Sequence, residues 1–109
     1  MVRSIGLALA ICAGISSAVL AQDAKKGQEL FVDQKCTLCH SVAGKGNTKG
    51  PLDAVGSKLK PEEIRQWIMD PKTMAAKTKA ERTPAMPVKT IEKEEVDALV
   101  AYLSTLKKK

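Results

Sequence analysis

The sequence is poor in the residues that usually fill or staple a small domain. Among its 109 residues, Phe31, Trp67 and Tyr102 are the only aromatics and His40 is the only histidine. Cysteine occurs three times, at Cys12, Cys36 and Cys39. Three aromatics give little bulk to bury. None of them lies in a basic stripe, so no stacking platform for nucleic acid is present. One histidine and one close pair of cysteines fall short of the two separated ligand pairs of a structural zinc site. A disulfide within that pair would close a very short loop and restrain little chain. No stretch alternates apolar and polar residues as a half-buried strand does, so a sheet-based fold is not expected. Internal repeats are absent as well.

What is present begins with a processing pattern. Arg3 gives a short positive start, and Ile5 to Leu20 is uncharged and mostly apolar. Val19 and Ala21 stand where a signal peptidase reads small residues, which predicts cleavage before Gln22. Gly6, Gly14, Ser16 and Ser17 interrupt a stretch already short for a membrane span, so no stable membrane insertion is expected after cleavage. Cys12 follows Ile11 and reads as an apolar member of this segment. The expected division is a signal peptide over 1–21 and one domain over 22–109, exported to the periplasm. Export would place Cys36 and Cys39 in an oxidising compartment. Of the 18 basic residues only Arg3 precedes Gln22, so 17 face the 12 acids and the exported domain carries +5. The positives are dispersed along it, a surface suited to solvation or to steering toward an acidic partner. A domain of this size is marginal on its own apolar core and usually needs a metal, disulfides or a large cofactor.

Helical periodicity organises the rest. Asp23 to Gln34 reads as a helix with Gly27, Leu30, Phe31 and Gln34 on one face. A glycine inside a helix costs roughly 1 kcal/mol against alanine, a cost that close approach by another backbone would explain. Ser41 to Leu59 reads as a loop. Pro61 opens a second helix, with Ile64, Trp67 and Ile68 as its apolar face, Met69 as a packing residue near its end, and Pro71 as its stop. Pro71 to Lys89 reads as irregular apart from a short helical turn at Met74. Within it, Pro84 and Pro87 hold Met86 in an extended, stiff segment. The last helix is expected from Ile91 to Lys107, capped by Thr90, with Val96, Leu99, Val100, Leu103 and Leu106 as its stripe and Tyr102 beside it. The expected class is all-α, with helices at both ends and long loops between.

The segment Cys36 to His40, "CTLCH", carries the chemistry. A zinc site lacks its fourth ligand. A thioredoxin-like pair follows a strand, whereas a helix precedes this one. Covalent attachment of haem c uses every residue of the motif. Cys36 and Cys39 lie about one turn apart and reach two vinyl groups of one porphyrin, and His40 reaches the iron between them. One large apolar ring also supplies the bulk that the aromatics do not. For the iron's sixth position no second histidine exists. Met69, Met74 and Met86 remain, and the proline-bracketed Met86 is the expected ligand, with Met74 the alternative.

Over Gln22 to Lys109 these motifs resemble the small class I cytochromes c, single-haem periplasmic electron carriers. The resemblance implies an all-α cytochrome c fold in which Gly27 and Phe31 cross the last helix at Leu99 and Tyr102. It implies iron ligation by His40 and by Met86 of "PAMP". It also implies that the carbonyl of Pro51, in "KGPL", accepts the histidine's other ring nitrogen, and that Trp67 touches a haem propionate. By the same resemblance the chain is not an enzyme but an electron carrier. Its partners would be redox proteins with acidic docking surfaces, met as a monomer or within a periplasmic dehydrogenase complex. A haem sensor or peroxidase with a displaceable Met86 is the remaining alternative. The stretch "LDAVGSKL" is about one residue shorter than the common family form, and Lys72 to Thr83 lacks family markers.

Overall fold

The computed structural model describes residues 13–108, with side chains described from Asp23 onward. Two helices, α1 (Ala13–Asp33) and α5 (Lys93–Ser104), cross and form the centre of the molecule. The crossing follows from small residues at the contact. A methyl group at Gly27 would overlap the carbonyl of Ala98 and the Cβ of Tyr102, so the two backbones touch there. One turn on, the Phe31 ring meets Tyr102 edge to face, with centroids 6.0 Å apart and planes at 64°. Such edge contacts add about 0.5–1.5 kcal/mol beyond area burial. Leu30, Phe31, Val96, Ala98, Leu99, Val100 and Leu103 close the core around this point. Ala98 stood outside the apolar stripe expected from the sequence. It is buried because the partner residue at the crossing is a glycine.

The third core helix, α3 (Pro61–Met69), lays Ile64 and Ile68 against α5. Pro61 occupies its first turn, and the Lys60 N–H donates to the Glu63 carboxylate at 2.9 Å. At the rim, Arg65 donates to Asp97 of α5 at 2.6 Å. The segment expected to be mostly irregular forms a regular helix, α4 (Pro71–Thr78), starting at the proline that stops α3. Asp70 caps it by accepting the Thr73 N–H at 3.3 Å, and Pro71 and Met74 become buried. In sequence Pro71 signals the stop of α3, but proline at a first helical position also begins a helix.

Between α1 and α3 the chain is more ordered than its composition suggests. β1 (Ser41–Val42) and β2 (Lys45–Gly46) pair antiparallel around Ala43 and Gly44, both at positive φ, 53° and 80°. Two such residues make a tight hairpin turn, and two-residue strands are too short to show alternation in sequence. α2 (Val55–Lys58) leans on the C-terminal end: Gly56 N–H donates to Leu106 O at 2.7 Å, and Lys108 N–H to Ser57 Oγ at 2.7 Å. The last helix begins at Lys93, not Ile91. Its N-cap is Glu92 rather than Thr90, with Glu92 N–H donating to the Glu95 carboxylate at 3.1 Å. The architecture is all-α apart from the two-residue ladder. No helix among the described residues is long and apolar enough to cross a membrane. Most of the segment expected to be a signal peptide lies outside the described residues or their described side chains.

Candidate haem site

The site begins where α1 ends. Lys35 takes a left-handed conformation (φ 60°), and the chain winds into a single 3-10 turn over Cys36–Leu38. The carbonyl of Cys36 accepts from the N–H groups of Cys39 at 3.2 Å and His40 at 2.9 Å. This winding brings both thiols and the imidazole to one short turn. The thiols of Cys36 and Cys39 are free and half-buried. Burial pushes the Cys36 thiol up, against the opposing charge of Lys89. A redox-active cysteine needs the reverse, a depressed thiol in an electropositive setting. Cys36 therefore lacks the setting of an exchange thiol.

His40 is half-buried, and its Nδ1 lies 3.0 Å from the carbonyl oxygen of Gly50. A carbonyl only accepts, so Nδ1 carries the proton and Nε2 keeps a free electron pair. Burial pulls the His40 pKa down; the Gly50 carbonyl pulls the other way, and the positive charge of Arg82 adds to the lowering. The ring is thus held neutral, in one tautomer and one orientation, as a metal-binding imidazole requires.

The acceptor is Gly50, not Pro51. Pro51 stands opposite Ser41 in an isolated parallel bridge. The Ser41 N–H donates to Gly50 O at 3.1 Å, and the Leu52 N–H donates to Ser41 O at 2.9 Å, so the two bonds straddle the proline. This register turns the Gly50 carbonyl toward His40. Pro51 is exposed and acts through the geometry it imposes on its neighbours. Asn47, read in sequence only as part of a turn, stitches the two segments together. Its N–H donates to Thr37 O at 3.0 Å and to His40 O at 3.1 Å, and its Nδ2 donates to Leu38 O at 3.1 Å.

The methionines separate clearly. Met69 is 58% exposed rather than packed, and Met74 is buried on α4 at 5%. Met86 is half-buried, while Pro84, Ala85 and Pro87 around it are exposed, so it is the member of "PAMP" that faces inward. On the N-terminal side of this segment the Arg82 guanidinium lies against Gly50, whose carbonyl faces His40. Trp67 is half-buried on α3 between the buried Ile64 and Ile68. The structure thus groups Cys36, Cys39, His40 and the Arg82 end of the Met86 segment. It leaves Trp67 on the neighbouring helix.

The donor set fits a covalently held haem. Two reduced thiols lie on one turn, a neutral imidazole offers its outer nitrogen, and a half-buried thioether stands on a segment that Arg82 ties to the Gly50 loop. Cys36, Val42, Leu52, Leu59 and Ile91 are partly buried apolar side chains packed against the core. Among the described residues no group of three or more His, Cys, Asp or Glu side chains is placed to hold a metal ion by itself.

Comparison with known proteins agrees. The sequence profile of the family described as Cytochrome c matches residues 24–107. A protein named Cytochrome c oxidase subunit 2, from Alkalihalophilus pseudofirmus, is 30% identical over 93 residues, covering 77% of this chain and 26% of that protein. The chain therefore spans about a quarter of the length of this curated relative. No solved structure matches. With the family profile spanning residues 24–107, from within α1 to beyond the end of α5, this chain belongs to the cytochrome c family, whose members bind haem c covalently and use it for electron transfer.

Proposed function

We propose that this chain carries single electrons through one haem c, joined to Cys36 and Cys39, with His40 and Met86 as axial ligands of the iron. The observation that carries the reading is the His40 Nδ1 contact with Gly50 O, which leaves Nε2 free at the attachment turn. When bound, the haem supplies a ferrous–ferric couple. The protein's part is to hold it: Cys36 and Cys39 anchor the ring, Gly50 fixes the imidazole, and the proline-bracketed segment presents Met86. A thioether opposite an imidazole favours the ferrous state and raises the potential. With both axial positions taken by side chains, no position is left for substrate, so the role is transfer rather than catalysis.

The proposed location is the periplasm, after cleavage near Ala21; the apolar, small-residue pattern that ends at Ala21 supports it. Charge supports acidic partners. Between residues 34 and 60, Lys35, Lys45, Lys49, Lys58 and Lys60 stand against the single acid Asp53. Lysines on the loops that frame the site steer an acidic surface toward it, and salt weakens that steering. Docking of this kind is small and short-lived.

A visible spectrum combined with a redox titration of the exported protein tests the whole reading. It expects a c-type haem that survives acid–acetone extraction, one titrating centre, and a mass that fits a single haem. Haem lost on extraction, or a second centre, overturns it. A second reading has one observation in its favour: the relative named above is an oxidase subunit. On that reading the chain is a haem subunit held in a larger redox assembly, such as a periplasmic dehydrogenase. Native-size chromatography of the protein from its own cells separates the two: a free carrier elutes near the mass of one chain.

A further inference from the structure

One side chain of the segment that leads into Met86 lies against the loop that orients His40. The guanidinium of Arg82 lies directly against the α-carbon of Gly50; a methyl group built on Gly50 would overlap Arg82 Nη1. Gly50 is the residue whose carbonyl accepts from His40 Nδ1 at 3.0 Å and from the Ser41 N–H at 3.1 Å. Arg82 also stands four positions before Met86 in the same segment. Among the described residues its guanidinium takes part in no ion pair, the paired groups being Arg65, Lys93 and Asp97. Its charge therefore stands unpaired against the residue whose carbonyl orients the His40 ring.

We propose that Arg82 is a positioning residue for the iron site, seating the Met86 segment against the Gly50 loop and setting the electric field at the histidine. This rests on His40 and Met86 being the axial pair. The physical case has two parts. A guanidinium is weakly hydrated and permanently charged, so it can rest against a glycine backbone with its charge in place. A positive charge beside the imidazole opposes further positive charge at the iron, and so favours the ferrous state. Because Arg82 is exposed, solvent screens both effects and keeps them modest.

The test uses the haem-loaded protein and two measurements, the midpoint potential and the affinity of the ferric form for added imidazole. Arg82→Ala should bind imidazole about two- to fivefold more tightly, as the Met86 segment loosens, and its potential should fall. Arg82→Lys should keep most of the potential, whereas Arg82→Gln, which keeps length and plane but not charge, should lower it. A role in stability alone would move the unfolding temperature and leave the potential in place. Met86→Ala serves as the control. If Met86→Ala binds imidazole far more tightly but Arg82→Ala matches the parent protein in both measurements, the role of Arg82 is overturned. If Met86→Ala itself shows no gain in imidazole binding, the axial pair is wrong and the inference falls with it. Should Arg82→Ala fail to fold, Arg82→Gln carries the potential measurement.

Discussion

The α1–α5 crossing and the haem turn are built by different means. The crossing is side-chain packing: Gly27 admits Ala98, Phe31 meets Tyr102, and Leu30, Val96, Leu99 and Leu103 exclude water around them. The haem turn is mostly backbone hydrogen bonding between loops, through the carbonyls of Cys36, Thr37, His40 and Gly50. Its side chains are half-buried, and Leu38 is 69% exposed. The crossing therefore sets how stable the domain is, and the loops set which way the reactive groups point. Substitutions should divide along the same line, some moving unfolding and others moving the potential.

The sharpest contrast lies between two methionines. Met74→Ala empties a buried site and should cost about 2–5 kcal/mol of stability, seen as earlier chemical denaturation, with the potential nearly unchanged. Met86→Ala should do the opposite, lowering the potential strongly and admitting imidazole or carbon monoxide to the iron. If Met74→Ala moves the potential and Met86→Ala does not, the ligand assignment is reversed. Next in size, Gly27→Val forces a side chain into the Ala98 carbonyl. Overpacking of this kind costs about 1–3 kcal/mol, and the haem spectrum should stay unchanged in the molecules that fold.

Asn47→Ala tests the loop side. It removes the Nδ2 bond to Leu38 O and the Asn47 Oδ1 acceptor for the Lys49 N–H, at 3.1 and 2.9 Å. Each bond is worth about 0.5–1.5 kcal/mol net, and faster exchange of backbone amides should be confined to residues 37–50. The smallest effect concerns Asp97, at the edge of the α3–α5 contact. The Arg65 hydrogen bond holds its carboxyl below the ordinary value of 3.8, with Lys93 adding to the effect. A depressed carboxylate contributes stability above its unfolded pKa and loses it as pH falls through the folded one. The small advantage of the parent over Asp97→Asn should therefore be constant at neutral pH. It should shrink only as the pH drops below about 4, measured by thermal melts across an acid series.

Much of the helical frame was legible because each helix declares its buried face along its own length. Leu30 and Phe31, Ile64 and Ile68, and Val96 to Leu103 all recur at helical spacing and are buried as that spacing requires. Boundaries were less legible. Thr90 and Glu92 are both plausible caps, and only the Glu92–Glu95 bond selects between them. The α4 helix was obscured by its proline, which signals a stop and a start equally well. Met69 is exposed rather than packed because α3 ends there, and a last-turn residue need not face the core.

The sequence by itself determined the chemistry. Two cysteines and a histidine at this spacing, with no second histidine and too few aromatics for a core, left covalent haem as the reading that used every residue. Covalent spacing within five residues is local, so it survives any folding of the rest. Tertiary structure alone decided what surrounds that motif. The partner of His40 Nδ1 is Gly50 rather than Pro51 because the Ser41–Pro51 bridge sets the register. Ala98 is the contact for Gly27 because two helices far apart in sequence cross at one angle. Arg82 reaches Gly50 across 32 positions for the same reason. A carbonyl's acceptor role and a glycine's clearance depend on which distant segment lies beside them, and no periodicity along the chain carries that information.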